Sequence, residues 1–371
     1  MLSHMDLHKK PFDDGTQCKL EIFESYAEAW LPTFIMQDAG PICIFDIFAG
    51  PGYDKNGTAG SPIRLLRQVV KQSGYIFQRN VQVCIWLNEY MTEKYKFLVQ
   101  ACDTFIEEHE ELSRLKKGQK LSVKITNCGI PEVFPQIIGH IQKYPSLVFL
   151  DQNGVKWCSD EFLLPLVKSS TTDVLVYFAS SYVKRFASRT EFQRNISFDL
   201  SGIKNVRLND IHRWVVQQLQ AKIPTDCGFR LCPFTIKKDK NIYGIIFGAS
   251  HVRAVDKFLD LAWTMNHLNG EANFDIDADE SKGQLNIFNE KKLTKMEQFE
   301  LSLREAILTK KVQTNKDAYD FAILHGHIGK HANDVIRKLK KEKRIAFDDR
   351  SPKCNYEQVY KNKSIVEYHL L

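Results

Sequence analysis

No apolar run in this chain of 371 residues approaches the roughly 18–20 needed to span a bilayer. The polar opening stretch MLSHMDLHKKPFDDG also has no apolar core of the signal-peptide kind. These gaps predict a protein that works in the cytoplasm, away from membranes. Nine cysteines stand at 18, 43, 84, 102, 128, 158, 227, 232 and 354, and no two form a CxxC pair. Several lie inside apolar runs, as small hydrophobes do, so a reduced chain without a disulfide framework is expected. Metal ligands are poorly grouped as well. The spacing from Cys227 to Cys232 is loose, and His325, His327 and His331 lie far from both with no accompanying acids. No metal site is expected. Net charge is missing from most of the chain: Lys310–Leu371 carries 14 Lys/Arg against 8 Asp/Glu, which is the whole of the net +6. Attraction to nucleic acid should therefore be confined to the C-terminal region.

What is present is a globular composition, 43% hydrophobic and 26% charged, long enough for a large core and a smaller domain. Leu20, Phe23, Ala27, Trp30 and Leu31 recur at helical spacing across 16–36. ICIFDIF (42–48) then reads as a strand buried on both faces. Further strands are expected at 81–89, 121–127, 146–151 and 172–180, with helical stretches between them. RLCPFTIKK and NIYGIIFG flank Asp239-Lys240 as a terminal hairpin. Strands alternating with helices predict an α/β fold with a mostly parallel, doubly wound sheet. Five such units followed by a hairpin are the layout of a class I methyltransferase, a Rossmann-like fold.

Residues 254–268 read as one more helix, giving an α/β domain over 1–268. The acidic, turn-rich stretch that follows is expected to be a linker over 269–294. From there the pattern is three helices and then short strands, that of a winged helix over 295–371. Its basic helix spans Ala332–Lys341, and Ile345–Phe347 leads into the wing. Arg337, Lys338, Lys340, Lys341, Lys343 and Arg344 are the candidate nucleic-acid contacts, with Val335, Ile336 and Leu339 on the packing side.

The loop after the first strand narrows the ligand. Asp46-Ile-Phe48-Ala49-Gly50-Pro-Gly52 lacks the third glycine of the dinucleotide fingerprint, and no GK[ST] follows as a phosphate loop requires. It has instead the D-x-F-x-G-x-G form of a methyltransferase loop. Glycines at 50 and 52 let backbone meet the methionine part of S-adenosylmethionine with no Cβ in the way. Asp46 can hold the ammonium directly or through water. Gly60-Ser61-Pro62 looks like a helix start with Ser61 as N-cap. Glu89 and Asn127 end the second and third strands, placed to reach the ribose hydroxyls and the adenine ring. The expected cofactor set is thus Asp46, Phe48, Ala49, Gly50, Gly52, Ser61, Glu89 and Asn127.

The fourth strand ends in Asp151-Gln152-Asn153, the candidate catalytic set. Methyl transfer is an in-line displacement, so protein groups mainly position and desolvate the acceptor. A carboxylate and a turned carbonyl here can grip an exocyclic amine and aim its lone pair. The Pro-Pro typical of amino-methylating enzymes is missing. So is the Pro-Cys that a cytosine-C5 enzyme needs for covalent catalysis; Cys158 has no proline before it.

Taken together, several phrases resemble the three-Cys-motif partner family of bacterial and phage-associated proteins. They are Thr16-x-x-Lys19 with Tyr26 and Trp30, FDIFAGPGYD, GSPIRLL, LDQNG with Trp157 behind it, and FAILHGHIGKHANDVIRKLKKEKRI. The resemblance covers most of the chain. It implies a methyltransferase-like domain, a winged-helix-like C-terminal region and a partner protein carrying a three-cysteine motif. The family's usual strand-four phrase is Asp-Pro-Phe-Gly, from which Gln152 and Asn153 depart. A more distant likeness is to adenine-N6 methyltransferases of ribosomal RNA. Two functions are therefore expected to compete: a methyltransferase acting on an amino group of nucleic acid or a nucleotide-like substrate, and a binding partner that has kept the fold but lost the chemistry.

Overall fold

A computed structural model describes residues 11–38, 40–152, 154–156, 159–169, 171–193, 199–281 and 293–371. The chain separates into two compact units, Met1–His251 and Val252–Leu371. The division falls ahead of the helix that the periodicity reading had kept with the first domain. That helix buries Val255, Phe258, Leu259 and Trp263 within the second unit.

The first unit is a seven-stranded sheet with helices on it. In chain order its elements are α1 (Asp14–Ile35), β1 (Ile42–Asp46), α2 (Ser61–Gln78), β2 (Val83–Asn88), α3 (Thr92–Glu108), α4 (Glu110–Lys117), β3 (Leu121–Thr126) and α5 (Ile130–Ile141). There follow β4 (Ser146–Leu150), α6 (Asp160–Val167), β5 (Thr172–Phe178), α7 (Ser180–Phe186), α8 (Thr190–Gln193), α9 (Ile211–Gln220), β6 (Arg230–Lys238) and β7 (Asn241–Ala249). The strand order is β3-β2-β1-β4-β5-β7-β6. The first five strands run parallel. β7 enters antiparallel beside β5 and carries β6 on the hairpin turned by Asp239 at φ 52°. This is the Rossmann-like arrangement of class I methyltransferases. Every residue of β1, β4 and β5 is buried, which is why those runs are mostly apolar rather than alternating, with polar Asp46, Ser146, Thr172 and Asp173 at or near their ends.

β1 lies in mid-sheet with β2 on one side and β4 on the other, Asp46 opposite both Leu87 and Phe149. Chain order reverses between β1 and β4, so the crevice beyond their carboxyl ends is the switch point where such sheets receive ligands. α1 packs on α2 and lays Phe23 flat against Phe149 of β4, ring centres 4.2 Å apart. Its Tyr26 hydroxyl donates 2.7 Å to buried Asp173 of β5.

The second unit contains α10 (Val252–Met265), α11 (Lys295–Leu308), α12 (Asn315–Leu324), α13 (Gly329–Lys341), β8 (Ile345–Ala346) and β9 (His369–Leu370). Thr294 and Thr314 each begin a helix with a reciprocal capping box, their hydroxyls bonded to the backbones of Glu297 and Asp317. Three helices with an antiparallel β8–β9 pair make a winged helix. Gly329 has no room for a side chain, since a Cβ there would lie 2.0 Å from the Cys354 carbonyl. The expected linker at 269–294 is in part well packed: Asn269 and Ala272 are wholly buried and Ile276 nearly so. Among the described residues no helix is long and apolar enough to cross a membrane.

Candidate functional site

Asp46 closes β1 with no accessible surface. One carboxyl oxygen accepts the Ser61 hydroxyl at 2.6 Å, and the other accepts the Phe48 N–H at 3.3 Å. Burial, and secondarily the nearby Asp151 charge, push its carboxyl up to about 7 against the opposing pull of those bonds. So enclosed, the carboxyl fixes the loop around it through Ser61 and Phe48. Ser61 departs from the N-cap expectation. Gly60 occupies the cap, and Ser61 is the first residue of α2, its hydroxyl spent on Asp46. The buried carboxyl outcompetes the orphan N–H groups of the helix for that hydroxyl, because those can be satisfied elsewhere.

The glycine loop is held from three sides. Gly50 takes a left-handed φ of 67° and donates its N–H to a Glu89 carboxyl oxygen at 3.1 Å. The other Glu89 oxygen accepts the Met91 N–H at 2.7 Å, so a partly buried carboxylate faces the loop from the end of β2. Ala49 donates to the Asn88 carbonyl at 3.0 Å. Gly52 has φ 92°, and a Cβ there would sit 2.8 Å from the Cβ of Ala101. Its lack of a side chain thus lets the loop pack closely on α3. Further along, Asp54 gathers the N–H groups of Phe12, Asn56 and Thr58 at 2.8, 2.9 and 2.7 Å. Burial works to raise its carboxyl, but those three bonds prevail and hold it below the ordinary value. Arg64 then ties the loop to α1, bonding the Ala59 carbonyl, Gln17 and Glu24 at 2.9 Å each.

At the next strand ends the polar groups mostly bind one another. Asn127 donates to the carbonyls of Glu89 and Tyr90 at 2.7 and 2.9 Å, shaping the β2 loop. Asn88, absent from the expected set, is 1% exposed and bonds the Ile47 and Cys128 carbonyls, the Cys128 N–H and the Thr126 hydroxyl. It bolts together the ends of β1, β2 and β3. Asp151 follows β4, and Gln152 beside it is 1% exposed. Asn153, Trp157 and Cys158 lie outside the described residues. The main surprise is Lys19 of α1. Its ammonium lies 2.5 Å from an Asp151 carboxyl oxygen and 4.6 Å from the centre of the Tyr177 ring. Periodicity placed Lys19 correctly on a helix but held no signal for a partner 132 residues away.

In the second unit α13 buries Ala332, Val335, Ile336 and Leu339, as its spacing demands. Its cations are less available than the sequence suggested. Lys338 reaches Glu300 at 2.5 Å, and Arg337 reaches Asp334 at 3.1 Å. Lys340 donates to the carbonyls of Phe347 and Asp349 and lies 3.7 Å from the Phe347 ring centre. Among the described residues, Lys341, Lys343 and Arg344 are exposed with no side-chain hydrogen bond or ion pair. Of the three histidines, His325 is exposed, while His327 and His331 pack among aromatic rings. His327 stacks on Phe299 at 4.0 Å and meets His331 at 3.1 Å between ring nitrogens, and both rings contact Trp263.

Strand order and the composition of this crevice define a Rossmann-like methyltransferase fold joined to a winged-helix domain. Residues 275–352 match the family model described as GMT-like wHTH domain. No curated protein matches the chain significantly. Among solved structures, an O-methyltransferase from Bacillus cereus, crystallised with SAH, is similar at 14% identity and a TM-score of 0.30. The likeness spans 64% of this chain and 91% of that one. At that score the fold assignment rests on the strand order alone.

Proposed function

We propose that the protein is an S-adenosylmethionine-dependent methyltransferase whose acceptor is an amino group of nucleic acid or of a nucleotide-like molecule. The observation that carries this reading is the convergence of Asp46–Ser61, the left-handed Gly50 turn and the Glu89 carboxylate at the sheet's switch point. The residues fit the cofactor. A loop turned through a Cβ-free residue leaves backbone open to close approach, and Glu89 is a half-buried acceptor pair suited to vicinal hydroxyls. Gly50 and its neighbours Phe48 and Ala49 would hold the methionine part and Glu89 the ribose. Asp46 and Ser61 act one step back by fixing the loop, and Asn127 by fixing the backbone of Glu89 and Tyr90. When bound, S-adenosylmethionine supplies an electrophilic methyl group. Asp151 positions the acceptor beside it.

The description of the C-terminal family model supports nucleic acid as the partner class, through Lys341, Lys343 and Arg344 first and Arg337, Lys338 and Lys340 after exchange of their present contacts. Mass spectrometry of ligand released from purified protein, with calorimetric titration, tests the cofactor assignment. S-adenosylmethionine or its demethylated product is expected, with binding lost in Glu89→Ala. Release of a nicotinamide dinucleotide, or unchanged binding in that variant, rejects the assignment. A second reading has one observation in its favour: Asp151 is already paired with Lys19. On this reading the chain is a cofactor-binding partner of a three-Cys-motif protein and transfers no methyl group. Retained cofactor binding with no transfer to nucleic acid, alone or with that partner, would select it.

A further inference from the structure

Lys19 is 7% exposed, and in the ion pair the side chains of Lys19 and Asp151 are 9% and 17% exposed. Enclosing such a pair adds little net stability, because the loss of hydration roughly offsets the attraction. Its position suggests another purpose, since Asp151 follows β4 at the edge of the crevice that the strand reversal opens. The Tyr177 ring face under the ammonium fixes the cation from the β5 side. Asp46 feels both partners, repelled by Asp151 and attracted by Lys19, so three ionisable groups share one corner. The cation also arrives from outside the sheet, on the N-terminal helix that Arg64 and Tyr26 tie down.

We propose that Lys19 is a charge-setting residue of this crevice: by neutralising Asp151 it keeps the carboxylate from gripping cationic ligand groups and suits the acceptor corner to a neutral or anionic group. This rests on the reading that the crevice takes S-adenosylmethionine. That molecule bears a sulfonium charge which S-adenosylhomocysteine lacks, while the rest of the two ligands is shared. An unpaired Asp151 would favour the charged member of the pair, and an unpaired Lys19 would favour the neutral one. The paired state is indifferent to the charge that the reaction removes from sulfur. Neither product release nor reloading is then opposed by an unbalanced carboxylate.

The experiment is calorimetric titration of the full chain with each ligand, for wild type, Lys19→Met, Lys19→Arg, Asp151→Asn and the double variant Lys19→Met/Asp151→Asn. Lys19→Met should raise the preference for S-adenosylmethionine over S-adenosylhomocysteine by about tenfold, the scale of one nearby charge in a partly screened site. Asp151→Asn should shift it the opposite way. Lys19→Arg and the double variant should keep the wild-type ratio. A purely structural role weakens both ligands together and leaves the ratio alone. If Lys19→Met fails to fold, the reverse shift in Asp151→Asn still decides the matter. An unchanged ratio in the folded single variants overturns the proposal while leaving the cofactor reading intact. A wild type that binds neither ligand overturns both.

Discussion

Around the crevice of the first unit, Lys19, Asp46 and Asn88 are 7%, 0% and 1% exposed, whereas the ion-paired Arg304, Lys338 and Glu342 of the winged helix have side chains 23%, 55% and 45% exposed. The first unit encloses ionisable groups whose hydration must be replaced by one another. The second keeps those pairs in water, encloses one pair, Lys295–Glu271, at 17% exposure each, and buries rings: Trp263, Phe299 and two histidines in mutual contact. Enclosed charge brings little stability and a strong local field, the signature of a place where something binds. Exposed pairs bring little of either. The difference separates an enclosed polar crevice in the first unit from exposed charged helix faces in the second.

The largest effect that would break this contrast is at Lys19–Asp151. Asp151→Ala strands a buried ammonium and should cost about 2–4 kcal/mol, toward the lower part of the range for a broken buried pair since its rim is wet. Glu300→Ala, which frees exposed Lys338, should cost under about 0.5 kcal/mol. Chemical denaturation of the two variants compares them directly, and similar losses would erase the distinction.

Next in size is pH, where buried groups of opposite type pull in opposite directions. Asp46 is raised to about 7 from an ordinary value near ~4. The folded state therefore holds this proton more tightly. Its contribution to stability is complete below about pH 4 and is lost as pH rises to about 7, a change on the order of a few kcal/mol. Asp46→Asn, which still accepts from Ser61, should flatten that slope. Burial first, then the Lys295 charge, lowers His327 to about 2; burial also lowers His331 to about 4. Both contribute above about pH 6.5, and that contribution drains away as pH falls, toward about 4 for His331 and toward about 2 for His327. His327→Phe should weaken the acid sensitivity. Melting temperatures of the three proteins from pH 4 to 8 test both slopes. A wild-type slope in either variant removes the corresponding group from the explanation.

Much of the fold was legible. β6 runs Arg230–Lys238 as its sequence suggested, and the wholly buried β1, β4 and β5 announced themselves by their mainly apolar runs. α4 was hidden because EEHEELSRLKK continues the polar pattern of α3, and only the extended backbone of His109 separates them. β9 was missed since two residues near the terminus carry no periodicity, and their pairing with β8 is long-range. At the site, residue types on strand ends were readable, but not what each would touch. Asn127 and Ser61 turned inward to backbone and to Asp46, and the cation opposite Asp151 came from a helix whose spacing reported only its apolar side.

The smallest expected effect concerns the contact surface. Lys341→Glu, Lys343→Glu and Arg344→Glu in the full chain should each reduce the salt dependence of DNA or RNA binding by about one counterion, without altering cofactor affinity. Lys338→Ala should do less, because Glu300 already neutralises it. Equal salt slopes for all four would make this face a site for protein contact rather than phosphate.

The tether between α1 and the far strands also dictates an order of events during synthesis. α1 precedes both strands in the chain, and Lys19 meets Asp151 across 132 residues while Tyr26 meets Asp173 across 147. Contacts that close loops of this length form late in folding, after their entropy has been met by shorter-range pairings. Until β4 and β5 have been made, α1 can pack on α2, but Phe23 lacks the Phe149 ring it stacks on and Tyr26 lacks its Asp173 acceptor. The corner shared by Lys19 and Asp151 is therefore completed only once β4 has been made, although the helix that supplies the cation was made well before it.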